Sequence, residues 1–127
     1  MIIFGIGTDI VSVDRIKNSL RNKNFIDRIF NKKEILRCKK ISTGFNCYAK
    51  RFAAKEAFAK ALGTGISNGI NFNEIVILNK KSGKPYINII GQTKRTLKKK
   101  FKNKKSKISL SLSDEKKYAV AFVTISL

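Results

Sequence analysis

Asp9 ends the apolar run Ile2 to Asp9, directly after Gly5-Ile6-Gly7-Thr8, and Glu56 sits inside an alanine-rich stretch. These two stand out among only eight acidic residues because both lie in apolar surroundings. A lone carboxylate in such a place is costly to desolvate unless it is paired or bound to a metal. Two outcomes stay open: salt bridges to the many lysines, or a hard-cation site on oxygen ligands. Lys60 follows Glu56 by four residues, so the two share a helix face. They form either a surface pair worth about 0.3–0.5 kcal/mol or a metal-binding carboxylate beside a cation that neutralises a phosphate. Lys60 also lies one turn before Gly63, where a glycine-rich loop over residues 63–71 would let a ligand approach the backbone. That loop follows a helix C-terminus, so the helix dipole has the wrong sign for a P-loop. Gly83-Lys84-Pro85 reads as a turn before a strand, and its lysine could reach a phosphate.

The chain contains no histidine. Histidine bases, nucleophile partners and metal ligands are thereby excluded, and a metal on side chains should be a hard cation on carboxylates. Cys38 and Cys47 show no CxxC spacing, so neither a disulfide framework nor a thiolate metal site is expected. The net charge of +20 attracts polyanions and acidic partners. Lysine is spread along the whole chain, and Asn and Ile are abundant, a mixture that AT-rich coding also produces. Nucleic-acid binding would need aromatic residues among the basic ones, and the basic stretch from Lys94 to Lys107 offers only Phe101. No nucleic-acid role is expected.

The 127 residues suit one domain, residues 1–127. No apolar run approaches the roughly 18 residues of a membrane helix. The start lacks the basic flank and cleavage site of a signal peptide, so a cytoplasmic location is expected. Residues 2–11 read as a buried strand, and Ser12 to Leu20 as a short helix. Phe25 to Phe30 and Lys32 to Lys39 are short basic helices. Phe45 to Leu62 is the clearest helix, free of Pro and Gly, rich in alanines that permit close packing, and stopped by Gly63. Phe72 to Leu78 and Pro85 to Ile90 read as strands, Gly91 to Lys105 as a basic helix, and Ile108 to Ser113 with Tyr118 to Ser126 as a hairpin. The order argues an α+β fold with a long central helix on an antiparallel sheet.

Four blocks carry a resemblance over nearly the whole chain: FGIGTDIVSVDRI (4–16), FIDRIFNKKE (25–34), AKRFAAKEAFAKALGTGI (49–66) and SLSDEKKYAVAFV (111–123). NGINF (68–72) and GKP (83–85) fall between them. Together they resemble the holo-acyl-carrier-protein synthase family of small phosphopantetheinyl transferases. The resemblance implies that fold and a transfer of phosphopantetheine from coenzyme A to a serine of an acyl carrier protein, in fatty acid biosynthesis. It implies Mg2+ on Asp9 and Glu56, with Lys60 stabilising charge on the transferred group. Arg51 would lie near the coenzyme's phosphate-bearing end, with Gly63, Lys84, Pro85 and Ser111 as further coenzyme contacts. The base that deprotonates the serine would be either Glu56 itself or a metal-bound water held by Glu56 or Asp9. A homotrimer is implied, with coenzyme sites between subunits and apolar surface of the hairpin and long helix buried across chains. The acidic carrier would dock on Arg15, Arg21 and Arg28. The chain departs from the family at Ser12, where many members carry Glu, and at Ser109 and Asp114, where many carry His.

Overall fold

The structure, a computed structural model, describes residues 1–65 and 69–127. Strand β1 (Ile3–Ser12) leads into helices α1 (Val13–Ser19), α2 (Lys23–Ile29) and α3 (Lys32–Lys40). The long helix α4 (Gly44–Leu62) follows, then strands β2 (Ile75–Asn79) and β3 (Pro85–Ile89), helix α5 (Gly91–Lys100), and strands β4 (Lys107–Asp114) and β5 (Tyr118–Ser126). The architecture is the expected α+β one. Strands β1, β5 and β4 form an antiparallel sheet in the order β1-β5-β4, and β2 pairs with β3 in a separate hairpin. The glycine-rich loop expected over 63–71 is described only in part, since residues 66–68 lie outside the described residues.

Helix α4 is the centre of the core. Thirteen of its 19 residues are buried, on every side of the helix, so it is not an ordinary amphipathic surface helix. Its alanines rest on β1 and β5. The approach to β1 is unusually close. A Cβ added to Gly5 would stand 1.9 Å from the carbonyl oxygen of Ala61, and one added to Gly7 1.9 Å from that of Ala57. Only glycine on the strand and small residues on the helix allow this contact.

A second tie joins α3 and the β2 edge to α4. Lys55 and Glu34 are both fully buried and pair at 2.8 Å. The Lys55 ammonium also donates to the carbonyls of Phe72 and Ile75, at 2.7 and 2.6 Å. Glu34 accepts from the amides of Asn31 and Ile77, and the first of these closes a capping box on α3. All three ammonium protons and both carboxylate oxygens are therefore engaged, as a buried ion pair requires. Burial still pulls Lys55 down to about 8, against the opposing pull of Glu34.

Three expectations are corrected. Cys38 and Cys47 are joined in a disulfide. The break at Ile41–Thr43 folds α3 back on α4, which brings their Cα atoms to 5.4 Å although nine positions separate them. The strand expected from Phe72 begins only at Ile75. Phe72–Glu74 form a 3-10 turn because the Glu74 carboxylate reaches across to the amides of Gln92 and Thr93 at the start of α5. Helix α5 stops at Lys100, five residues early, where Lys102 and Asn103 turn left-handed and the Asn103 amide caps the Lys98 carbonyl.

Gly7→Ala should lower stability by at least about 2 kcal/mol in urea denaturation, because the clash is with helix backbone rather than a movable side chain. Glu34→Ala should cost about 3–5 kcal/mol by leaving a buried ammonium unpaired. The double variant Glu34→Leu/Lys55→Met should recover only part of that loss, because the Phe72 and Ile75 carbonyls and the Ile77 amide lose their side-chain partners. A single-variant cost below about 1 kcal/mol would show that the pair is not a structural tie.

Candidate functional site

Residues on one face of a strand alternate, so Gly5, Gly7, Asp9 and Val11 all point the same way along β1. Gly7 and Val11 are buried on the side of α4. Asp9 therefore points toward α4 too, one step beyond the close contact. Glu56 and Lys60 lie one residue ahead of Ala57 and Ala61 on the helix, on the stripe next to that contact. The Lys60 ammonium pairs with the Asp9 carboxylate at 3.0 Å and donates to the Thr8 carbonyl at 3.0 Å. Thus Asp9, Glu56 and Lys60 come together at the rim of the β1–α4 seam.

The electrostatics of Glu56 record this crowding. Its carboxyl is raised above the ordinary 4.5, first by burial and then by the Asp9 carboxylate, while Lys60 and Arg15 pull it down. The influence of Arg15 places the start of α1 beside the site. Ser12, at a position where a glutamate was a plausible variant, caps α1 by accepting from the Arg15 amide.

Among the described residues no three His, Cys, Asp or Glu side chains converge. A cation that needs an all-protein cage does not fit this site. Two neighbouring carboxylates of raised mutual repulsion do fit Mg2+, which binds through one or two carboxylates and completes its shell with water and phosphate oxygens.

A second cluster forms around Arg51, which the structure buries. Its guanidinium donates to the Asn79 side chain at 2.7 Å and contacts the Cys47 carbonyl and sulfur. Its Nε is buried without a partner, and burial lowers its pKa ahead of any charge effect. It faces a cavity of about 250 Å³ lined also by Arg37, Lys50, Asn79, Gly83 and Pro85. An under-satisfied guanidinium beside Arg37 is suited to a phosphate, with Lys50 at the edge already paired to Asp114 at 3.3 Å. Pro85 thus lines the same cavity as Arg51. The lysine of the GKP turn does not line this cavity, and Gly83 does. Arg37, Lys50 and Asn79 were not picked out from the sequence. Arg37 and Lys50 are two among 28 basic residues, and only the fold distinguishes them.

The remaining residues fall elsewhere. Gly63 takes a left-handed conformation (φ 79°) and closes α4 with its amide on the Lys60 carbonyl, beside the Asp9 group. Ser111 lies opposite Phe122 on the exposed face of the sheet, while its neighbour Leu112 lines the Arg51 cavity on the other face. Arg51 precedes Glu56 by five residues, about 140° around the helix axis. Within one chain the Asp9 group, the Arg51 cavity and Ser111 therefore face different ways. Arg15, Arg21 and Arg28 are all exposed along α1 and α2.

The family model described as "4'-phosphopantetheinyl transferase superfamily" matches residues 5–123. The chain is similar to the holo-[acyl-carrier-protein] synthase of Pelagibacter ubique (strain HTCC1062), at 50% identity over 98% of each chain. Among solved structures it is similar to the holo-[acyl-carrier-protein] synthase from Neisseria meningitidis, with TM-score 0.88 and 41% identity, covering 99% of this chain and 100% of that one. It is also similar to the Bacillus anthracis enzyme of that name in complex with CoA (3',5'-ADP), with TM-score 0.80 and 35% identity, covering 98% and 97%.

In metal-free protein, an NMR titration should place the Glu56 midpoint above 4.5. Arg15→Ala removes a favourable charge and should move the midpoint further up. A midpoint at or below the ordinary value would show that burial and the Asp9 carboxylate do not govern Glu56, and no fall in the midpoint on Asp9→Asn would show that the two carboxylates are not coupled.

Proposed function

Because the chain belongs to the 4'-phosphopantetheinyl transferase superfamily, we propose that it transfers the 4'-phosphopantetheine group of coenzyme A to a serine of apo-acyl carrier protein. The products are holo-acyl carrier protein and 3',5'-ADP. The observation that carries this reading is the meeting of Asp9, Glu56 and Lys60 at the β1–α4 seam.

The serine Oγ attacks the β-phosphorus of the coenzyme's pyrophosphate. A new P–O bond forms, the bond to the bridging oxygen breaks, and that oxygen leaves with 3',5'-ADP. The serine proton passes to Glu56, whose carboxyl is raised above its ordinary value by burial and by the Asp9 carboxylate. Lys60, held at the site by Asp9 and the Thr8 carbonyl, has a half-exposed ammonium that faces the charge building on the phosphates. Asp9 and Glu56 would hold Mg2+, which supplies charge neutralisation at the pyrophosphate. The chain's remaining task is positioning, the main source of rate in phosphoryl-type transfer.

The Arg51 cavity takes the 3'-phosphate end of the coenzyme, and the unpaired Nε supports that assignment. Since this cavity and the Asp9 group face different sides of one chain, a complete site forms between neighbouring copies. A homotrimer satisfies this. The sheet face bearing Ile6, Ile10, Tyr118, Val120 and Phe122 supports it, because these side chains are 37–64% exposed. Helix α4 buries most of its apolar residues within its own chain, with Phe45 at its start the exposed exception, so the sheet supplies most of the apolar contact. Gly63, Lys84 and Ser111 approach the coenzyme from the subunit surfaces. The exposed Arg15, Arg21 and Arg28 dock the acidic carrier, which gives the +20 charge a partner. No helix among the described residues is long and apolar enough to cross a membrane. The reaction belongs to fatty acid biosynthesis in the cytoplasm.

Incubation of the protein with coenzyme A, Mg2+ and apo-acyl carrier protein should add the phosphopantetheine mass to the carrier. Asp9→Asn, Glu56→Gln and Lys60→Ala should each slow this by about 100-fold or more while leaving the unfolding transition in place. An unmodified carrier with the unaltered protein would overturn the reading, and full activity in any one variant would overturn that residue's role.

A further inference from the structure

Away from the transfer site, a second cavity lies between α5, the end of β3 and the start of β4. Its volume is about 440 Å³, within the range of small-molecule sites. It shares no lining residue with the Arg51 cavity. Ile89, Leu97, Phe101 and Ile108 form an apolar floor. Lys94, Lys98, Lys104 and Lys105 stand around it, with Asn103 and Ser106, and no carboxylate lines it.

The turn that brings Lys104 and Lys105 over the floor is held in an uncommon conformation. Lys102 and Asn103 both take left-handed backbone, with φ of 51° and 61°. Neither is glycine, so the arrangement carries a conformational cost that the surrounding structure must outweigh. The buried Phe101 anchors it from below. The last carbonyls of α5, at Leu97, Lys98 and Lys99, are each capped by an amide of Phe101 to Asn103. Three of the four carbonyls of the last turn therefore do not compete for the ammonium groups at the mouth.

We propose that this cavity binds a single-chain amphiphile with an anionic head, namely a free fatty acid. The carboxylate is held by the lysine rim and the alkyl chain lies on the floor. A nucleotide fits poorly, because the floor offers no hydrogen-bonding group to a base. A bilayer surface fits poorly too, because none of the four floor residues is exposed enough to wedge into lipid. The site stands independently of the transfer reading.

Calorimetric titration of the full chain with dodecanoate, below its micelle concentration and at 150 mM salt, tests this. Saturable binding of one molecule per chain is expected. Affinity should fall about fourfold for each methylene removed, as for burial of a CH₂ group. The variant Lys94→Glu/Lys98→Glu/Lys105→Glu should weaken binding at least tenfold. The variant Lys23→Glu/Lys32→Glu/Lys33→Glu makes the same change in total charge far along the chain and should bind as the unaltered protein does. Absence of saturable binding would overturn the proposal. So would equal weakening in both triple variants, which marks a response to net charge, or equal affinity for acetate and dodecanoate, which marks a simple anion site. Co-sedimentation with phosphatidylglycerol vesicles separates the membrane source: a loss confined to the rim variant there, without dodecanoate binding, would assign the cavity to lipid surfaces and overturn the fatty acid assignment.

Discussion

The contact of β1 with α4 is the constraint on which the rest depends. Strand and helix approach so closely that a single methyl group at Gly5 or Gly7 would collide with helix carbonyls. Because strand side chains alternate, the spacing that puts two glycines against the helix also aims Asp9 at it. Because helix neighbours recur every four residues, the stripe beside Ala57 and Ala61 carries Glu56 and Lys60. The packing geometry and the site geometry are thus one arrangement. Rigid elements on both sides leave the carboxylates little freedom to move apart, which suits a site whose catalysis rests on positioning.

Around that seam the chain manages a difficult burial. A fully enclosed Lys55–Glu34 pair is tolerated only because every donor and acceptor is used, by one another and by the backbone of α3, β2 and the Phe72 turn. A buried ion pair contributes little net stability compared with apolar groups of the same shape. Its value lies in direction: it sets where α3 and the β2–β3 hairpin sit on α4, and hence where Asn79, Gly83 and Pro85 stand relative to Arg51. The adjacent disulfide ties the same two helices at their facing ends.

The charge of the molecule divides into parts with different work. Lys60 and Lys55 are committed to carboxylates, and Arg51 is half satisfied inside a cavity. Most of the other cations are solvated, and screening limits their separate effects to about a Debye length. A combined field of this sign attracts anions in general. Local arrangement, as at the lysine rim over an apolar floor, is what can turn such cations into a site.

Much of this was legible in the sequence. A helix without Pro or Gly and with alanine throughout announced α4 and its close packing. Two carboxylates in apolar surroundings and a lysine one turn from the second marked a candidate site but left an ordinary ion pair open, and four long motif blocks announced the family and with it the reaction. These are local patterns, set by propensity and period, which neighbours along the chain reveal. The tertiary structure alone decided the rest. Nothing in the spacing of Cys38 and Cys47 pointed to a disulfide, because the turn that joins them is made by the packing of α3 on α4. Glu34, the most deeply buried acid, looked like one more charge in a basic helix. The early end of α5 and the 3-10 turn at Phe72 follow from contacts across 18 or more residues in one case and from a buried phenylalanine in the other. Sequence therefore determined the family and the elements on which the candidate groups Asp9, Glu56 and Lys60 ride. Which of them meet, and which face opposite sides of one chain, depended on contacts between residues distant in sequence, where no local period carries the information.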